Sequence, residues 1–108
     1  MRIRQGEVWW ANLPDPLGWR PVLVLTRDSA IEQLHWVTVA PLTRTIRGLE
    51  SEVVLEPDAD HVADRCAVTL DNVATVEQML LVEKLTSLSP DRMNEVWEAL
   101  HFALEMPF

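Results

Sequence analysis

In a chain of 108 residues, Val22-Leu23-Val24-Leu25 is an unbroken apolar run held between Pro21 and Thr26-Arg27-Asp28. Side chains along a strand point to alternate faces, so this run has no polar face to offer to water. It suits a central strand covered on both sides, and the cover must come from the other elements of a short chain.

Those elements are several short strands and one helix. Glu7 to Leu13 reads as a first strand, with Trp9 and Trp10 on opposite faces. Pro14, Pro16 and Gly18 mark a tight loop. Asp28 to Leu34 offers one helical turn with Asp28 as its cap. His35 to Leu42 is rich in β-branched residues and reads as a third strand ended by Pro41. Arg44 to Ser51 is a loop, and Glu52 to Leu55 a short strand followed by the acidic turn Glu56-Pro57-Asp58-Ala59-Asp60. Cys66 to Val76 has strand character on either side of Asp71-Asn72. These two are either a hairpin turn or polar residues within one longer strand. Asp-Asn is a weaker turn signal than Asn-Gly, which favours the continuous strand.

The last element carries the clearest signals. Ser89 suits an N-cap, Pro90 the first helical position and Asp91 the positive end of the helix dipole. Met93, Val96, Trp97, Leu100, Ala103 and Leu104 form one apolar stripe, and Pro107 stops the helix. The pattern implies an antiparallel sheet curled into a small barrel, with the helix packed alongside it.

Bulk properties exclude several classes. A hydrophobic content of 48% is that of a folded domain, and the length suits a single domain spanning residues 1–108. No apolar stretch approaches the roughly 20 residues of a membrane helix. Nor is a signal peptide expected, because the apolar run after Arg2 and Arg4 is broken by Asn12, Pro14 and Asp15. The expected location is the cytoplasm. The lone Cys66 cannot form an internal disulfide and reads as a small buried apolar residue.

The net charge of −8 is unevenly spread. Residues 1–47 hold six arginines against four carboxylates, a net +2, whereas residues 48–108 hold three basic residues against thirteen carboxylates, a net −10. Only the first half therefore fits a polyanion.

Asp58, Asp60, His61 and Asp64 are the only cluster of hard ligands. They lack the glycine and terminal glutamate of a calcium loop and read as an acidic solvated turn, so no metal and no cofactor is expected. There is no Gly-x-Ser-x-Gly elbow and no glycine-rich phosphate loop. His35, His61 and His101 are scattered. His35 opens the third strand and reads as a strand-end residue rather than a base, and His101 as a surface or boundary residue. What remains is Arg20 at the mouth of the buried strand and Thr43-Arg44-Thr45 where another strand ends. On residue chemistry alone they are either a charged strand end with an ordinary loop, or a site.

Five segments bear on that choice. Gly6-Glu-Val-Trp-Trp10, Arg20-Pro-Val-Leu-Val-Leu25, Val37-Thr-Val-Ala-Pro-Leu-Thr43, Leu70-Asp-Asn-Val-Ala-Thr-Val76 and Leu85-Thr-Ser-Leu-Ser-Pro-Asp-Arg-Met-Asn-Glu-Val96, together with Glu52-Val-Val-Leu55, resemble in order and spacing the MazF/PemK toxin endoribonucleases of type II toxin–antitoxin systems. The resemblance covers nearly the whole chain. It implies a mainly β (β-rich α+β) fold: an SH3-like antiparallel barrel of the CcdB/PemK type with a C-terminal α-helix. It also implies a homodimer, metal-independent cleavage of single-stranded RNA to a 2′,3′-cyclic phosphate and a 5′-hydroxyl, and inhibition by a cognate antitoxin. Contact with DNA would come only through that antitoxin.

Carried over by position, the family's catalytic arginine falls on Arg20 and its catalytic threonine on Thr43. Trp19, Arg27, Arg44, Arg47, Asp71 and Asn72 are the expected RNA contacts. The sequence departs from the family in a short loop, Leu13 to Trp19, without the usual serine and glutamate, and in Ala74 where a basic residue is common. Trp19 is then placed to stack on a base instead. The alternative is a toxin fold without catalysis that binds gyrase or only its antitoxin. The gyrase-poisoning relatives use a tryptophan-glycine-isoleucine ending, whereas this chain ends Leu104-Glu-Met-Pro-Phe108.

Overall fold

The computed structural model describes residues 2–107. Its elements are β1 (Glu7–Asn12), β2 (Trp19–Val24), α1 (Asp28–Ile31), β3 (Trp36–Thr43), β4 (Glu52–Leu55), α2 (Pro57–Asp60), β5 (Cys66–Thr69), β6 (Ala74–Glu77), β7 (Leu81–Ser87) and α3 (Pro90–Leu104). Short 3₁₀ turns, Leu70–Asn72 and Gln78–Leu80, precede β6 and β7.

The strands form one antiparallel sheet in the order β4-β5-β3-β2-β1-β7, with β6 also paired to β3. Its terminal strands are not paired to each other among the described residues, so the barrel is a curled sheet rather than a ring closed by hydrogen bonds. The helix α3 covers one side of it.

The apolar run of β2 explains itself in this arrangement. Leu23 and Leu25 face one core with Val8, Leu42, Val68 and the Met93, Val96 and Ala99 side chains of α3. Val22 and Val24 face a second core with Trp9, Val37, Val39 and Val76. Burying each such side chain is worth about 1.5–3 kcal/mol, so a polar residue anywhere in this strand would be costly. Trp9 is buried, its Nε1 donating to Glu7 Oε1 at 3.0 Å, while Trp10 points to the other face.

Several local expectations change. The cap position of α1 belongs to Arg27, without a side-chain cap bond. Asp28 instead accepts from the backbone N–H of Gln5 at 2.7 Å, tying the N-terminal arm to the helix. Pro41 does not end β3, which runs on to Thr43. The residues from Cys66 to Val76 follow one edge of β3 but not as a continuous strand. Leu42 pairs with Val68 and Val39 with Ala74, three residues on one strand against six on the other, and the surplus three are the 3₁₀ turn Leu70–Asn72. That break lies beside Pro41, which has no N–H to give a ladder. Its carbonyl accepts from Thr69 Oγ1 at 2.8 Å.

The acidic segment is not a solvated turn. It is the short helix α2, and Asp60 within it is buried. In α3 the Ser89 cap holds, accepting from the Arg92 N–H at 3.1 Å. The helix stops at Glu105, which adopts φ 53°, two residues before Pro107. Ala99 joins the buried stripe, whereas Leu104 is exposed.

Candidate active site

The loop between β1 and β2 sets the first wall. The Leu13 N–H donates to Gly18 O at 3.1 Å, closing a tight turn that needs φ +62° at Gly18. Trp19 and Arg20 follow at once. Arg20 Nε donates to Leu17 O at 2.9 Å, which orients the guanidinium along the loop. Among the described residues no carboxylate forms a salt bridge with Arg20.

The second wall is the end of β3. The β2–β3 ladder ends at Val22 opposite Pro41, so Arg20 and Thr43 each lie two residues beyond that last pair, at the same end of the two strands. Thr43 is half-buried, and its Oγ1 accepts from the Thr45 N–H at 3.1 Å. A hydroxyl that accepts in this way keeps its own proton to donate.

The third wall comes from α2 and the residues after it. β5 pairs with the tip of β3, Thr43 opposite Ala67, and this brings the segment before Cys66 over the site. Asp60 fixes the segment. It accepts from the Glu56 N–H at 2.8 Å and from Arg92 Nε and Nη2 at 3.0 Å each. That hydrogen bond and the Asp60 charge, opposed by desolvation, push the Arg92 pKa above its ordinary value. His61 follows in the left-handed region, with φ 58°.

Together these walls enclose a cleft of about 710 Å³ lined by Trp10, Trp19, Arg20, Thr43, Arg44, His61, Asp64, Cys66 and their neighbours. Trp10 and Trp19 meet edge to face, with centroids 6.3 Å apart, and Trp19 stays 61% exposed, so a base can still reach its ring. Arg44 and Asp64 approach to 3.8 Å at the surface, where both are well exposed and the pair is weak. Burial, then the charges of Asp60, Asp64 and Glu56, push the Cys66 thiol up. It is a protonated packing residue, as its sequence context suggests.

Of the sequence-derived residues, Trp19, Arg20, Thr43 and Arg44 share this cleft. Arg27 lies in a separate apolar groove with Trp36 and Trp97. Arg47 sits on the loop before β4, its N–H donating to Glu52 Oε1 at 3.0 Å. Asp71 accepts from Ser51 Oγ on the exposed 3₁₀ turn that also holds Asn72. His35 precedes the opposite end of β3, about 26 Å from Thr43 at the strand rise of roughly 3.3 Å per residue. His61, Asp64 and Trp10 are cleft residues that the sequence did not assign to the site: the first two read as part of an acidic turn and Trp10 as part of the first strand. The β3–β5 pairing brings His61 and Asp64 to the end of β3 that holds Thr43.

A family described as PemK-like, MazF-like toxin of type II toxin–antitoxin system matches residues 4–104. A curated relative, the probable endoribonuclease MazF5 of Mycobacterium tuberculosis, is 48% identical over 94% of this chain and 92% of its own. Among solved structures, the Mycobacterium tuberculosis toxin MazF-mt6 superposes with a TM-score of 0.85 at 30% identity, covering 94% of this chain and 99% of that one. A mycobacterial endoribonuclease in complex with its cognate antitoxin gives a TM-score of 0.87 at 25% identity, covering 98% of each chain.

Proposed function

This chain belongs to the PemK-like, MazF-like toxins of type II toxin–antitoxin systems, and from that premise we propose that its cleft cuts single-stranded RNA with Arg20 and Thr43 as the reacting pair. Its activity is that of an endoribonuclease, the activity carried in the name of the curated relative. The observation that carries the site assignment is an arginine that forms no salt bridge among the described residues, in one cleft with a threonine hydroxyl from the end of the neighbouring strand.

The chemistry is in-line attack of a 2′-hydroxyl on the adjacent phosphorus. Negative charge builds on the phosphate oxygens as the bond to O5′ breaks. Arg20 offers a fixed positive charge and planar donors matched to those oxygens, and Thr43 adds a neutral donor. The products are a 2′,3′-cyclic phosphate and a 5′-hydroxyl, and the reaction needs no metal or cofactor because Arg20 supplies the positive charge. Trp19 stacks on a base beside the cut, and Arg44 holds a neighbouring phosphate. Arg47, on the same loop, extends that phosphate track, with Asp71 and Asn72 near its far end. Arg27 lines the other groove, away from the cleft, and has no part in the cut.

A cognate antitoxin is the expected partner, as in the solved complex of the similar mycobacterial endoribonuclease. DNA contact would pass through it. Homodimer formation is supported by exposed Leu34, Trp36 and Leu104 around the second groove, where a second chain would cover them. The cytoplasm, where messenger RNA is found, is the proposed location; no helix among the described residues is long and apolar enough to cross a membrane.

The test is to incubate purified protein with varied single-stranded RNA, with and without EDTA, and to map both ends. Cyclic phosphate and 5′-hydroxyl ends in both conditions support the proposal. RNA left intact in both overturns it.

A further inference from the structure

The cleft residues assigned so far stabilise charge, but none is a good base. Arg20 carries a guanidinium, which has no free lone pair to accept a proton, and its Nε is held by the Leu17 carbonyl. Thr43 is a neutral hydroxyl. Attack by a 2′-hydroxyl nonetheless requires that its proton go somewhere.

The other groups on the cleft wall narrow the choice. The charged and titratable ones are Arg20 on β2, Arg44 after β3, Asp64 on the segment after α2, Cys66 on β5, and His61. From β1 and β7 the lining side chains are Val8, Trp10 and Leu85, which do not titrate. Cys66 is buried with a raised pKa, so its thiolate is scarce. Asp64 is exposed at the mouth beside Arg44. His61 is exposed and lines the cleft, and a neutral imidazole carries a ring nitrogen with a lone pair free to accept a proton.

The backbone also holds it in place. His61 ends α2, its N–H donating to Pro57 O at 3.0 Å, and Asp60 before it is clamped by Arg92. A residue in the left-handed region is a cost that most side chains avoid, so φ 58° here fixes the direction in which the ring leaves the chain.

We propose that His61 is the general base of the RNA cleavage reaction, acting from the wall facing Arg20 and Thr43. This rests on the endoribonuclease reading of the same cleft. The neutral imidazole takes the 2′-hydroxyl proton as O2′ bonds to phosphorus. The P–O5′ bond breaks, and O5′ takes a proton from water in the open cleft. No oxidant or further reactant is needed.

The test compares wild type, His61→Gly, His61→Asn and Arg20→Ala on one RNA substrate. Glycine and asparagine both tolerate the left-handed backbone, so the fold of the segment is kept. Both His61 variants should lose about 10²–10⁴ in kcat. Their KM should stay near the wild-type value, and the acid-side limb of the pH–rate profile should vanish. Added imidazole should restore His61→Gly in proportion to its concentration, and should leave Arg20→Ala unrestored. If wild type cleaves and His61→Asn keeps its kcat and acid-side limb, the role of His61 is overturned while the endoribonuclease reading stands. Recovery of His61→Asn on a substrate with a sulfur leaving atom at O5′ would also overturn it, since that marks an acid and not a base. A wild-type protein that cuts no RNA would end both claims.

Discussion

Asp60 and Arg92 form a two-pronged ion pair, Oδ1 to Nε and Oδ2 to Nη2 at 3.0 Å each, that ties α2 to α3. Asp60 is 4% exposed and Arg92 20%, so water screens the pair only in part. Asp60 directly precedes His61, which lines the cleft.

Replacing Asp60 with Ala should therefore act on both stability and activity. It strands the Arg92 charge and removes the acceptor of the Glu56 N–H. The expected loss is about 3 kcal/mol of unfolding free energy, read from urea denaturation. A loss below about 0.5 kcal/mol would show that the clamp does not hold the segment.

Cys66 should make stability fall at alkaline pH. Its folded pKa is raised above the ordinary thiol value, chiefly by burial, so the folded state holds the thiol proton more tightly than the unfolded chain. This contribution is complete below the unfolded pKa and is lost as pH rises through the folded one. Cys66→Ala should flatten that alkaline decline in thermal unfolding. Alkylation of the folded wild type should also be slow at pH 8. An unchanged decline in Cys66→Ala would assign it to other groups.

The sequence makes the cores legible but not all of the site. The unbroken run in β2 and the stripe of α3 report burial directly, because strand and helix periods map side chains to faces. Trp9 and Trp10 divide as their alternation requires. Asp28, Pro41 and Asp60 mislead because their partners are distant in the chain: Gln5, Thr69 and Arg92 decide what each does. Arg20 and Thr43 share one cleft because β2 and β3 are neighbours in the sheet, which the motifs report only through family likeness. His61 depends on β5 pairing with the tip of β3, a contact that no local pattern encodes.

Glu52 should order the loop that carries Arg44 and Arg47. Its Oε1 accepts from the N–H groups of Arg47 and Gly48 at 3.0 Å each. Glu52→Ala should cost about 1–2 kcal/mol and speed amide exchange at Arg47 and Gly48. Exchange rates equal to wild type would show that the loop holds itself.

Trp19 should contribute to binding more than to chemistry. It is exposed and steadied by Trp10. Trp19→Ala should raise KM about tenfold, within the roughly 1–3 kcal/mol that base stacking supplies, and leave kcat within about threefold. A fall in kcat with unchanged KM would move Trp19 from base stacking to the reacting centre.

The central claim is that Arg20 and Thr43 act together on the scissile phosphate. Single-turnover cleavage of one RNA oligonucleotide by wild type, Arg20→Ala and Thr43→Ala, at saturating protein, tests it most directly. Each substitution should slow the chemical step by about 10²–10³ while the protein stays folded, with only the small stability loss of one hydrogen bond. Cleavage by Arg20→Ala at the wild-type rate would contradict the account.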